Sequence, residues 1–336
     1  MGMSRKDFLK LGGLGLASAA LTTTLPGIVN SRSIATAGAA TNTVALGAFA
    51  ARKESSPPWS FDVIDEFSDL VGGMPAVIHW FQDWVMGFDP GYMDAAVSRG
   101  GMPLITWEPW KFGEGLNQSG YALRDILAGD HDAYIRQWAQ AARDWGKTFY
   151  LRFAHEMNGD WTSWSPGVNG NTSREFISVW RKVYNIFQQE GATNAVWVWA
   201  PVAHYEGATP YRDVFPGDAY VDWLGVSGYN WGDTRTWSQW QSFYRIFDQS
   251  YDKLVALTNK RIMVAETASA ESGGDKAAWI SKAFFEQIPN RFPRIRAVVW
   301  FHANKENDWR VNSSDSSLQA YREVVASARY QGRLPA

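Results

Sequence analysis

From residue 43 onward the chain alternates short apolar runs with longer stretches whose apolar residues recur at helical spacing. The runs cover 43–49, 75–81, 102–107, 148–155, 195–201, 221–229, 261–266 and 295–301. Most are too continuous for half-exposed antiparallel strands, so they predict parallel strands covered on both faces. Between them, 60–71, 130–145, 173–190, 237–258 and 275–288 read as amphipathic helices with Ser, Asp or Gly near their ends. In the third of these, Phe176, Val179, Val183, Ile186 and Phe187 trace one face. Eight strands alternating with helices over about 290 residues predict a (β/α)8 barrel, which typically needs about 250 residues plus loop insertions. A doubly wound open sheet is the rival. It would carry a glycine-rich phosphate turn after its first strand, whereas Ala50-Ala51-Arg52-Lys53 stands there. With no internal repeat and no long Ser/Pro/Gly-rich linker, one domain over 40–336 is expected.

Residues 1–39 read differently. A basic segment at 4–10 (Ser-Arg-Lys-Asp-Phe-Leu-Lys) precedes a short Gly/Ala/Leu run at 11–21, and Ala37-Gly38-Ala39 offers small residues for cleavage. The pattern predicts an export signal of bacterial type. It is similar to a twin-arginine signal, with Lys6 at the second arginine position. The run is shorter than the roughly 20 apolar residues that span a bilayer, so removal of the segment and a membrane-free, monomeric mature protein are expected.

Composition narrows the chemistry. Thirty-two Lys+Arg against 34 Asp+Glu leave a formal charge of -2, too balanced for the phosphate-neutralising surface that nucleic acid requires. With no cysteine, disulfides, thiolate metal sites and cysteine nucleophiles are excluded. Nineteen Trp exceed 13 Tyr, and because a buried indole N–H needs a partner, some of these rings are expected to face a ligand.

In a barrel the chemistry gathers where the strands end at the carboxyl face. Glu108 closes the third predicted strand, Glu156 the fourth and Glu266 the seventh. Carboxyl groups sharing one partly desolvated cleft can divide acid and nucleophile roles, because their pKa values are pushed apart. Trp107, Trp110, Trp161, Trp164, Trp231 and Trp300 lie at or just past the same strand ends, placed to stack on sugar rings. Other chemistries fail on spacing. His155-Glu156 begins a zinc-helix pattern, but Gly159 stands where the second histidine belongs, and Gly225-Val226-Ser227-Gly228-Tyr229 lacks the closing glycine of a nucleophile elbow. His79, His131, His204 and His302 are scattered, and Asn171-Thr172-Ser173 is a glycosylation sequon in a chain with a bacterial-type signal.

Three segments resemble glycoside hydrolase family 26. Residues 151–161 (Leu-Arg-Phe-Ala-His-Glu-Met-Asn-Gly-Asp-Trp), followed by Trp164, are similar to its acid/base segment; 221–232 resembles its sixth-strand segment and 262–266 its nucleophile strand. The resemblance implies a retaining endo-hydrolase of β-linked polysaccharide with no metal or other cofactor. It makes Glu156 the acid/base, Glu266 the nucleophile, His155 the residue orienting the acid/base region, Tyr229 a donor to the nucleophile and Trp300 the sugar platform. Arg152, Glu108, Trp107, Trp161, Trp164 and Trp231 are supporting or substrate-binding candidates. Residues 299–310 look more like the mixed-linkage β-1,3-1,4-glucanase branch than the β-mannanase branch, with His302 in place of an expected asparagine. A β-mannanase is the alternative, and a non-catalytic carbohydrate-binding barrel is the alternative from another class.

Overall fold

The computed structural model describes residues 43–51 and 60–336. The export signal expected at 1–39 lies outside the described residues. Eight parallel strands close in sequence order into a barrel. They are β1 (Ala45–Ala50), β2 (Val77–Asp83), β3 (Met102–Glu108), β4 (Phe149–Phe153), β5 (Ala195–Trp199), β6 (Trp223–Asn230), β7 (Arg261–Ser269) and β8 (Ile295–His302). Each coincides with one of the eight apolar runs, and β1 pairs with β8 to close the ring.

The helices are α1 (Asp62–Val71), α2 (Pro90–Ser98), α3 (Leu123–Ala128), α4 (Asp132–Trp145), α5 (Ser173–Glu190), α6 (Tyr211–Val214), α7 (Phe243–Leu257), α8 (Lys276–Lys282), α9 (Ile288–Arg291) and α10 (Asp315–Ala326). α5 starts at a capping box: Thr172 Oγ1 accepts from the Glu175 amide and the Glu175 carboxylate accepts from the Thr172 amide. The helix expected over 237–258 begins only at Phe243, because Ser242 caps it by accepting from the Arg245 amide. The one expected over 275–288 continues past α8 through a π-helical turn, Ala283–Gln287, into α9. Among the described residues no helix is long and apolar enough to cross a membrane.

Two apolar layers share the strands. Inside the barrel, Ala45, Val77, Leu104, Tyr150, Trp223, Met263, Ala297 and Val299 pack together with Leu334 of the C-terminal segment. Between barrel and helices lie the larger side chains, among them Ile105, Trp107, Phe149, Leu151, Phe153, Val264, Val298 and Trp300. Alternation along a strand therefore decides the layer. On β8, Ala297 and Val299 point in while Val298 and Trp300 point out; on β4, Tyr150 points in and Leu151 out.

β7 breaks the alternation. Val226 pairs with Val264 and Ser227 with Glu266, and on the other side Val264 pairs with Val298 and Thr267 with Trp300. β7 thus carries one residue more than either neighbour between these pairs, a β-bulge. Met263 and Ala265 face the barrel interior, so strict alternation would send Glu266 outward; the extra residue turns it inward instead.

Candidate active site

Glu266 meets two donors at the carboxyl end of the barrel. Arg152, on β4 and fully buried, donates from Nη1 to Glu266 Oε1, and the same nitrogen reaches Thr106 Oγ1 at 3.2 Å. Its Nη2 donates to Ser227 Oγ at 2.5 Å. The other carboxylate oxygen, Oε2, accepts from the Tyr229 hydroxyl at 2.5 Å. Burial, then the nearby charges of Glu266 and Glu156, holds the Tyr229 phenol well above its ordinary pKa, so it stays a donor. In the ring of eight, β7 lies opposite β3 and only three strands from β4. The carboxyl ends of β4 and β7 are thus not diametrically opposed, and Arg152 spans the interval between them.

Glu156 follows β4 on a strained turn. Ala154 and Glu156 have φ of 43° and 52°, a left-handed conformation that costs an L-residue about 1–2 kcal/mol and needs surrounding structure to hold it. Four bonds do so. The Ala154 amide donates to the Trp107 carbonyl at 3.0 Å and the Glu156 amide to the Ala200 carbonyl at 2.8 Å, while the Asn158 side chain exchanges bonds with Val202 at 3.1 and 2.8 Å. The glycine in this segment has a steric purpose: a Cβ on Gly159 would come within 2.6 Å of the Trp161 ring. The indole lies across Gly159, and its Nε1 donates to Glu156 Oε2 at 2.7 Å.

His155, between the two left-handed residues, is buried, and one of its ring nitrogens and one carboxylate oxygen each of Glu156 and Glu266 all lie within 4.8 Å of one another. Burial, then the charge of Arg152, holds its pKa well below the ordinary value, so the ring is neutral. These three residues are also the one group among those described that brings three metal-ligating atoms together. Both oxygens of Glu266 already accept from Arg152 and Tyr229, and the guanidinium would stand beside any cation bound there, so the group is better suited to protons and an uncharged ligand than to a metal.

Glu108 is a third carboxyl at this end. Burial pushes its pKa up to about 8, opposed by a hydrogen bond from Trp110 Nε1 and reinforced by the charges of Glu266 and Asp83. The consequence for stability has a definite sign. Between the ordinary carboxyl value near 4.5 and about 8 the folded protein keeps a proton that the unfolded chain releases, so stability falls as pH rises through that window. Glu108→Gln removes the slope. Its melting temperature relative to the parent is expected to rise steadily from pH 5 to pH 8 in thermal scans; a difference independent of pH would mean that Glu108 titrates normally.

The tryptophans divide. Trp161 and Trp231 are partly exposed at the cleft, Trp161 beside Tyr205 with centroids 6.0 Å apart and Trp231 beside Trp237 and Trp309 at 5.2 and 4.9 Å. Trp107, Trp164 and Trp300 are fully buried, which corrects their assignment as sugar-stacking candidates. Trp107 packs on Trp138 and Phe187 between barrel and helices. Trp164 donates to the His155 carbonyl at 2.7 Å, bracing the turn that carries Glu156. Trp300, assigned above as the sugar platform, points outward into Trp279 and Tyr321 and donates to the Trp309 carbonyl at 2.9 Å. The inward residue at that level of β8 is Phe301, 5.8 Å from the Tyr229 ring. Sequence reasoning misses Tyr205, Trp309, Phe301 and Thr106, and meets Ser227 only in an incomplete nucleophile elbow. For Phe301 the signal was available, since alternation along β8 places it inward.

A (β/α)8 barrel with paired carboxylates at the carboxyl ends of its strands has the architecture of an enzyme. The family model described as glycosyl hydrolase family 26 matches residues 104–326, and the chain belongs to that family. It is 42% identical over 274 residues to endoglucanase H of Acetivibrio thermocellus, covering 80% of this chain and 29% of that protein. To the mannan endo-1,4-beta-mannosidase of Bacillus subtilis strain 168 it is 28% identical, covering 55% of this chain and 46% of the relative. The chain thus spans less than a third of the first and under half of the second. Among solved structures, an endo-beta-1,4-mannanase double mutant of Cellulomonas fimi superposes with a TM-score of 0.66 at 19% identity, over 87% of this chain and 72% of that one, which shows the shared fold.

Proposed function

We propose that this chain is a retaining endo-glycoside hydrolase of β-linked polysaccharide, with mixed-linkage β-1,3-1,4-glucan as its preferred substrate. The observation that carries the reading is the approach of the Glu156 and Glu266 carboxylate oxygens to within 4.8 Å. Retaining glycosidases place their carboxyl groups about 5–5.5 Å apart, whereas inverting ones leave about 6.5–9.5 Å for a water between them.

Each step then falls to a named group. Glu156 gives its proton to the departing glycosidic oxygen while Glu266 attacks the anomeric carbon, breaking the C–O bond and forming a glycosyl ester. Glu156, now a base, takes a proton from water as that water attacks the same carbon, the ester is cleaved and Glu266 is released as carboxylate. Arg152 and Tyr229 hold Glu266 in line, and Trp161 holds Glu156. Trp161, Tyr205 and Trp231 supply aromatic surface for the sugar.

The glucan preference is supported by the higher identity to a relative named endoglucanase than to one named mannosidase. Glucan and mannan differ at the C2 hydroxyl, whose hydrogen bonds strengthen in the transition state, so few side chains suffice to choose. The β-mannanase reading is the competitor. Reducing ends released in parallel from barley β-glucan, lichenan, glucomannan and galactomannan are expected to give kcat/KM at least about tenfold higher on the first two, a difference of about 1.4 kcal/mol. Proton NMR of the first product should show the β-anomer. An α-anomer overturns the double displacement, and a preference for galactomannan returns the mannanase assignment. Residues 1–39 fit the same picture as a removable export signal, carrying the enzyme to where a polymer too large to enter the cell is met.

A further inference from the structure

The mechanism above leaves Glu108 without a task. It ends β3, opposite β7, and its buried carboxyl turns its two oxygens to different neighbours. Oε2 accepts from Trp110 Nε1 at 3.3 Å, and Oε1 lies 3.8 Å from His155 Nδ1. The charges facing it are Glu266 on β7, Asp83 on β2 and Arg152 on β4, and none of them is its hydrogen-bond partner. His155 Nδ1 is itself buried and has no hydrogen-bond partner among the described residues, an expensive condition for an imidazole nitrogen.

Simple valence rules connect these facts. A neutral imidazole has one N–H and one lone pair, and whichever nitrogen keeps the hydrogen is set by what the other one meets. An indole N–H only donates, so Glu108 Oε2 must accept, and the exchangeable choice is confined to Oε1. If Oε1 carries a hydrogen it donates to Nδ1 and leaves the imidazole hydrogen on Nε2. If it is ionised it accepts from Nδ1–H and leaves Nε2 as a lone pair.

We propose that Glu108 is a positioning residue that works as a carboxylic acid: its Oε1–H donates to His155 Nδ1 when the substrate-filled cleft closes the 3.8 Å gap, fixing the imidazole with its hydrogen on Nε2. His155 then presents a donor beside Glu156 and Glu266, to be received by a hydroxyl oxygen of the sugar at the point of cleavage. The kinetic consequence rests on the reading of Glu156 and Glu266 as the reacting pair; the tautomer does not.

Glutamine separates the two states. Its carbonyl can accept from Trp110 while its NH2 donates to Nδ1, so Glu108→Gln reproduces the acid and clashes, donor against donor, where an ionised carboxylate was needed. The test uses the full chain labelled with nitrogen-15 histidine, which has only five histidines, with the His155 resonances assigned by their loss in His155→Gln. Near pH 6.5 the parent with a non-hydrolysed β-gluco-oligosaccharide should show a protonated, pyrrole-like Nε2 and a pyridine-like Nδ1. Glu108→Gln should keep that pattern and hold kcat/KM within about threefold, while Glu108→Ala mixes the tautomers and loses about thirtyfold, the size of one buried hydrogen bond. A protonated Nδ1 in the parent, or a folded Glu108→Gln as impaired as Glu108→Ala, overturns the proposal. Should Glu156→Ala and Glu266→Ala both stay active while the nitrogen spectra come out as expected, the reaction centre is misread and the tautomer stands.

Discussion

Glu266→Ala is expected to lose turnover of polymeric β-glucan by about five orders of magnitude, because the proposed mechanism forms its covalent intermediate on that carboxylate. Azide should restore activity on an aryl β-glucoside bearing a good leaving group, and the product should be the α-glycosyl azide. The site explains why an anion would settle there: Arg152 and Tyr229 still donate into the space the carboxylate vacated. Attack from that side inverts the anomeric carbon once. Glu156→Ala should behave in the opposite sense. An activated aryl glycoside needs no proton donor, so the glycosyl ester still forms on Glu266, and azide entering from the other face gives the β-glycosyl azide by two inversions. Thin-layer chromatography and proton NMR of the two products check the assignment. Interchanged anomers would reverse the roles of the two glutamates, and near-parental turnover on polymer by both variants would remove them from the mechanism.

Arg152→Met should be costly in stability as well as in rate. Arg152 is fully buried, its side chain bonds Glu266, Thr106 and Ser227, and removing one member of a buried ion pair leaves the other charge uncompensated at about 3–5 kcal/mol. For a domain of this size that corresponds to a fall of roughly 10 °C in melting temperature. Lysine does not substitute. A single ammonium cannot reach Glu266 and Ser227 from one fork, so Arg152→Lys should recover part of the stability and little of the rate. Thermal melts beside kcat on barley β-glucan measure both. Melting of Arg152→Met within about 2 °C of the parent would show that Glu266 is held by something other than this network.

Most of the architecture is legible in the patterning along the chain. Unbroken apolar runs were enough to count eight strands, because a parallel sheet is buried on both faces, and period-3.6 patterning was enough to find the longer helices. Short helices such as α2 and α3 escaped, having too few turns to display a period. The placement of Glu108 at the end of β3 and of Glu156 just past β4 was equally legible, since a barrel has one chemical face. Alternation also contained information that points against Trp107 and Trp300 as sugar platforms: both stand at outward positions among helix-facing side chains, where a large ring fills the layer between barrel and helices.

The aim of the site's side chains came instead from contacts between elements. Glu266 faces the cleft because β7 holds one residue more than its neighbours, and a bulge is a matter of pairing between strands, invisible in any one of them. Glu156 sits in a left-handed turn that no local preference of glutamate would select, held by the carbonyls of Trp107 on β3 and of Ala200 just past β5. Residues 114 positions apart, Arg152 and Glu266, become one ion pair for the same reason. Patterning follows each element's own burial and so is written along the chain, whereas the aim of a catalytic side chain depends on contacts between elements that only closure of the barrel creates.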